Sequence, residues 1–212
     1  MMPEASDTET GLLFREINSE FFFEEPEEQG TLLFLALFPP VETIARVNHI
    51  RRFQCGEHGL TGKPRPDGHL HITLGSLGPS TMVSSADICS FRKACQAAAD
   101  RTGPFEIELD HTMTFGKPDA GKAPFVLEKS GGNPPLFEFH LRLLSEMAKQ
   151  RCKFRQKSTS LHPHITLLYD NKFVPREAVE PVRWRVERFV LIRSYGGETK
   201  YESEGQWEFG GG

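Results

Sequence analysis

Two four-residue strings carry the chemical signal in this 212-residue chain. They are His71-Ile72-Thr73-Leu74 and, 93 residues on, His164-Ile165-Thr166-Leu167. Histidine is the side chain that changes charge near neutral pH, so it suits both halves of a proton transfer. Side chains at i and i+2 of a strand share a face. His71 therefore goes with Thr73, and His164 with Thr166, while the intervening isoleucines enter a core. If the two strands face one cleft, one imidazole takes a proton while the other gives one. The threonine hydroxyls then hold the oxygens of a phosphate whose charge builds in the transition state. That chemistry needs no metal. Chance recurrence of such a string is improbable in a chain of this length, so the repeat predicts two similar lobes about a pseudo-twofold.

The rest of the chain must build strands to carry these strings. Leu32 to Phe38 is a continuous apolar run of strand length, closed by Pro39-Pro40, which suits the first turn of a helix. Val41, Ile44, Ala45, Val47 and Ile50 give that helix a stripe to about Gln54. A Gly/Pro-rich loop runs from Gly56 to Gly68, and His69 to Leu77 alternates as a strand. Ser84-Ser85-Ala86-Asp87 opens a second helix to about Asp100. Phe105, Ile107 and Leu109 alternate with acids as a half-buried strand, and Phe125 to Leu127 is another. Phe137, Leu141, Leu144 and Ala148 mark a third helix. Strands over Leu161–Tyr169, Val186–Ser194 and Gln206–Phe209 complete the chain. The predicted order is β-α-β-α-β-β-α-β-β-β, an α+β pattern.

Composition narrows the function classes. The content of aromatics, 17 of them Phe, excludes wholesale disorder. No run of about 18 apolar residues exists to span a membrane. Cys55, Cys89, Cys95 and Cys152 sit at no CxxC spacing and read as reduced thiols of a cytoplasmic chain. The net charge of −4 is uneven: residues 1–28 hold nine acids and one base, leaving 20 acids and 24 bases. Residues 1–28 are predicted to be an acidic, disordered tail and 29–212 one bilobal domain. The mildly basic body suits an anionic substrate and is too weakly charged for broad duplex binding.

The doubled His-x-Thr-x motif resembles that of the two-histidine phosphoesterase superfamily, and within it the 2′-5′ RNA ligase type, also called RNA 2′,3′-cyclic phosphodiesterase. The resemblance spans about residues 31–209. It includes Leu33 to Pro40, Leu70 to Leu74 with Leu77-Gly78 after it, Pro163 to Leu167, and Phe189 to Ser194 followed by Tyr201 and Trp207. It implies a bilobal fold of two pseudo-symmetric antiparallel sheets flanked by helices around a central cleft. It also implies metal-independent opening of 2′,3′-cyclic phosphate ends of RNA to 2′-phosphates, with 2′-5′ ligation as a related activity. His71 would be the proton donor and His164 the acceptor, with Thr73 and Thr166 on the phosphate oxygens. No cofactor, membrane or obligatory protein partner is implied, and a monomer is expected.

The chain departs from that pattern in two places. Family members often carry an aromatic residue where this chain has Ser76, and Arg where it has Tyr169. Tyr169 is a candidate for stacking on a base. His69 and His162 lie two residues before the motif histidines and are expected on the same strand face. They would line the rim, brace a motif histidine or touch substrate; as a set of four imidazoles they would also suit zinc. Arg65, and Arg155 within the alternating Arg151, Lys153, Arg155, Lys157 series, are candidates for phosphate-backbone contact or for a solvated face. Two rival readings are a phosphodiesterase for a small cyclic nucleotide and a non-catalytic RNA-binding module on the same fold.

Overall fold

A computed structural model describes residues 30–118, 121–152, 161–196 and 200–210. The predicted tail over 1–28 and Arg155 lie outside them. The elements run β1 (Thr31–Leu37), α1 (Val41–His58), β2 (Ile72–Pro79), α2 (Ser85–Ala99), β3 (Phe105–Thr114), β4 (Ala123–Glu128), α3 (Pro134–Lys149), β5 (His164–Asp170), β6 (Glu177–Val186), β7 (Arg188–Tyr195) and β8 (Lys200–Glu208), with single 3₁₀ turns at Asp67–His69 and Ser80–Met82. Local chemistry starts and stops the helices. Ser84 and Asp87 form a reciprocal capping box on α2, Pro134 and Pro135 open α3, and Gly59 ends α1 in the left-handed conformation at φ 59°.

The strands form one antiparallel sheet in the order β6-β3-β4-β5-β2-β1-β7-β8. It is built of two four-stranded halves, and the two motif strands, β5 and β2, are the inner strand of each. The two sheets expected from the repeat are thus fused at their centre, through one register pair, Ile72↔Ile165. One face of the sheet carries the main core. Leu33, Leu35 and Leu37 of β1, Ile72 and Leu74 of β2 and Ile165 and Leu167 of β5 pack there with Phe91 of α2 and Phe139 and Leu143 of α3. The other face carries a small cluster of Phe34, Ala36 and Ile192, against which Phe38, Val190 and Tyr201 pack, with no helical residue in it.

Strand β6 has no counterpart in the sequence expectation, and β8 is longer than its expected Gln206–Phe209. Both are edge strands. Only Val182, Trp184 and Val186 of β6 and Trp207 of β8 are buried, with charged residues between them and Pro181 in the middle of β6. Edges carry charge and proline because they face solvent, which weakens their apolar signal. The second strand begins at Ile72 and not at His69. Pro66-Asp67-Gly68 turns the chain first, with the His69 amide donating to the Pro66 carbonyl at 2.8 Å.

Candidate active site

The single register pair at the sheet centre sets the geometry. Ile72 and Ile165 are both fully buried. Extending their antiparallel register one residue each way sets His71 beside Thr166 and Thr73 beside His164, on the face that no helix covers. The four motif residues are thus brought together as two His-Thr pairs across one seam.

The two imidazoles are held identically. Nδ1 of His71 donates to the His69 carbonyl at 2.8 Å, and Nδ1 of His164 donates to the His162 carbonyl at 2.8 Å. A carbonyl only accepts, so each Nδ1 carries hydrogen and each neutral ring presents a bare Nε2 for chemistry. Both rings titrate low. Burial pushes His71 down to about 3; its bond to His69 opposes this, and Arg65, His164 and the His69 ring push it further. Burial pushes His164 down to about 4; its bond to His162 and the Glu128 carboxylate pull up, and the His162 ring pushes down. At neutral pH both rings are therefore neutral.

Each motif ends in a bulge. On β2 the pairing with β1 steps from Thr73↔Ala36 to Gly75↔Leu35, leaving Leu74 as the extra residue. On β5 the pairing with β4 steps from Thr166↔Val126 to Leu168↔Phe125, leaving Leu167. The freed carbonyls are captured from different directions. Leu74 accepts from Nε2 of His140, a buried residue of α3, at 3.0 Å. Leu167 accepts from the Arg65 amide at 2.9 Å. A bulge shifts the alternation by one. Ser76 and Tyr169, each five residues after its motif histidine, are thereby restored to the histidine face. Ser76 pairs with Phe34 there, and Tyr169 lies under the Arg65 guanidinium, whose carbon is 5.9 Å from the ring centroid.

The loop that brings Arg65 is strapped to β5. Asp170 Oδ2 accepts from the Thr61 and Gly62 amides at 2.7 Å each. Gly62 is required by this close approach, because a Cβ there would collide with the Tyr169 carbonyl. Pro64 then bridges to Leu168.

The flanking histidines differ from their expected placement. His69 belongs to the 3₁₀ turn, is buried, and stacks on Tyr201 with centroids 3.8 Å apart. His162 precedes β5, and its Nε2 donates to Glu128 Oε2 at 2.6 Å. Both brace a motif histidine through their backbone carbonyls. Sequence reasoning missed Glu128, Phe115 and Phe38. Glu128 gave a signal, as the acid on the Val126 face of an otherwise apolar strand. Phe115 packs edge-on at 4.8 Å from His164, while Phe34, Phe38 and Tyr201 ring His71 at 5.1 to 5.8 Å. Among the described residues, no three His, Cys, Asp or Glu side chains are grouped to hold a metal ion, and no helix is long and apolar enough to cross a membrane.

The family model of the 2′-5′ RNA ligase superfamily matches residues 39–198, both motifs included. The chain belongs to that superfamily. As a 2′-5′ RNA ligase superfamily member it is an enzyme of phosphoester chemistry. The same fold recurs in solved structures. E. coli LigT in its apo form is 24% identical, with a TM-score of 0.64 over 85% of this chain and 98% of that one. A crystallised phosphoesterase is 25% identical, with a TM-score of 0.64 over 86% and 99%. A protein of Thermus thermophilus is 23% identical, with a TM-score of 0.64 over 85% and 98%. None of the curated proteins compared matches the chain.

Proposed function

We propose that this superfamily member hydrolyses 2′,3′-cyclic phosphate ends of RNA to 2′-phosphates without a metal, with 2′-5′ ligation as the same displacement by a 5′ hydroxyl in place of water. The observation that carries the reading is the pairing of two His-x-Thr strings across the Ile72↔Ile165 seam, each ring with Nδ1 engaged by a carbonyl and Nε2 left for chemistry. E. coli LigT has been crystallised with 3′-AMP and with phosphate, so in that protein the fold accommodates a nucleotide phosphate.

In the proposed step a water oxygen bonds to phosphorus while the bond from phosphorus to the 3′ oxygen breaks. His164 takes the water proton on Nε2, and His71 gives its Nε2 proton to the departing 3′ oxygen. Thr73 and Thr166 donate hydroxyl hydrogens to the non-bridging phosphate oxygens. An anionic phosphate raises the proton affinity of the rings it sits between, which lets His71 arrive protonated although desolvation by the protein holds it low. The Arg65–Tyr169 pair flanks the second motif and suits a base and its phosphate. The reading extends to a monomeric cytoplasmic enzyme whose RNA substrate is its only partner.

The test is turnover of a short RNA bearing a 2′,3′-cyclic phosphate, in EDTA, with product ends mapped. The expected product is a 2′-phosphate. H71A and H164A should each lose about 10²- to 10⁴-fold in kcat/KM, as for removal of a general acid or base. A folded wild-type protein that fails to turn over, or activity abolished by EDTA, overturns the proposal. Ser76 and Tyr169, where family members often carry an aromatic residue and Arg, favour one second reading, a small cyclic nucleotide as substrate. Faster turnover of the mononucleotide than of the RNA end would establish that alternative.

A further inference from the structure

Glu128 takes no direct part in that reaction, yet it is placed beside it. It ends β4, is 1% exposed, and pairs in register with His164 on the neighbouring strand. An ionised carboxylate buried this deeply is costly unless it is partnered. Its Oε2 accepts from His162 Nε2 at 2.6 Å, and its Oε1 lies 2.7 Å from Arg176 Nε. His162 passes the contact on, because its own carbonyl accepts from His164 Nδ1 at 2.8 Å. A chain of contacts thus runs from a buried carboxylate through His162 to a motif histidine. Aromatic rings flank both motif histidines, Phe115 at His164 and Phe34, Phe38 and Tyr201 at His71, but the charge near His71 is the Arg65 cation and not a carboxylate.

We propose that Glu128 is a positioning residue that, acting through His162, fixes the ring of His164 and stabilises the imidazolium formed when His164 takes a proton. The inference rests on the reading of His164 as the base. The proton stays on His164 Nε2; Glu128 remains a carboxylate and His162 keeps its ring hydrogen toward it. The net movement of the proton is then from the Arg65 side of the seam to the Glu128 side, the direction electrostatics favours. The charged or titratable groups facing His164 are Glu128 from β4, His162 from the segment before β5, and His71 across the seam.

The experiment follows the His164 ring by NMR through a pH titration of the ligand-free protein, in the wild type, E128Q, E128D and R176Q. E128Q removes the negative charge and should move the titration to lower pH. R176Q leaves the carboxylate less neutralised and should move it to higher pH. E128D keeps the charge and should stay close to wild type. Loosened packing alone would not produce opposite shifts in two variants of one ion pair. In turnover, E128Q should lose roughly 10- to 100-fold in kcat with KM within about twofold, a fraction of a full general-base deletion. If E128Q unfolds before the ring titrates, the acidic limb of its kcat/KM profile should lie at lower pH than in wild type. An unmoved His164 titration or limb in E128Q, or shifts of the same sign in E128Q and R176Q, overturns the proposal. The titration needs no substrate, so a wild type inactive on cyclic phosphate ends would sink the proposed reaction while leaving this result readable.

Discussion

His71 and His164 are half-buried, neutral rings, which makes the folded protein sensitive to acid. In an unfolded chain each imidazole titrates near 6.5, whereas in the fold burial holds His71 at about 3 and His164 at about 4. Between pH 6.5 and those values the unfolded chain binds more protons, so stability falls as pH falls across that window. The melting temperature should therefore drop from pH 7 to pH 4, and H71Q and H164Q should each flatten the slope; a slope unchanged in both variants would show that other groups set it. Both motif histidines and both threonines were legible in the sequence because a repeated string on a strand announces its own face. Glu128 left only a faint signal, since a carboxylate at the end of an apolar run reads as the point where the strand leaves the core. Only the register with β5 shows it stays inside.

The bulges at Leu74 and Leu167 determine which residues share the site, and they were invisible to alternation counting. Strict period-2 reading sends Ser76 and Tyr169 to the face opposite their histidines, and the extra residue returns them. The first bulge depends on His140, so H140L should leave the Leu74 carbonyl unsatisfied. The expected cost is about 1–3 kcal/mol in denaturant unfolding, together with a lowered kcat. H140Q, which can still donate, should recover part of both; equal losses in H140L and H140Q would remove the hydrogen bond from the explanation. The helices and inner strands were legible because caps, prolines and apolar runs mark them. The edge strands were not, because half their side chains face water.

The two halves of the sheet share only one register pair between their motif strands, and the strap from Thr61 to Arg65 supplements it. Backbone amides of Lys172, Thr61 and Gly62 hold the Asp170 carboxyl below its usual range against the opposing effect of burial. D170A should free the strap. Amide exchange at Thr61, Gly62 and Arg65 should quicken, and KM for an RNA end should rise more than kcat falls, because Arg65 loses its fixed place over Tyr169. Exchange at those amides as slow as in wild type would mean that the Pro64–Leu168 bridge alone holds the strap. The bilobal plan itself was legible from the repeated motif. The halves are nevertheless unequal in the chain: β3 to β6 are consecutive, whereas β1 and β2 must wait for β7 and β8. One half is an uninterrupted insertion into the other. On a ribosome the later half can close while the earlier one cannot, because β1 gains its second neighbour only when Arg188–Tyr195 has emerged. Leu32 to Phe38, the longest apolar run of the fold, therefore remains an open strand edge through most of synthesis, the stage at which unpaired edges recruit other chains.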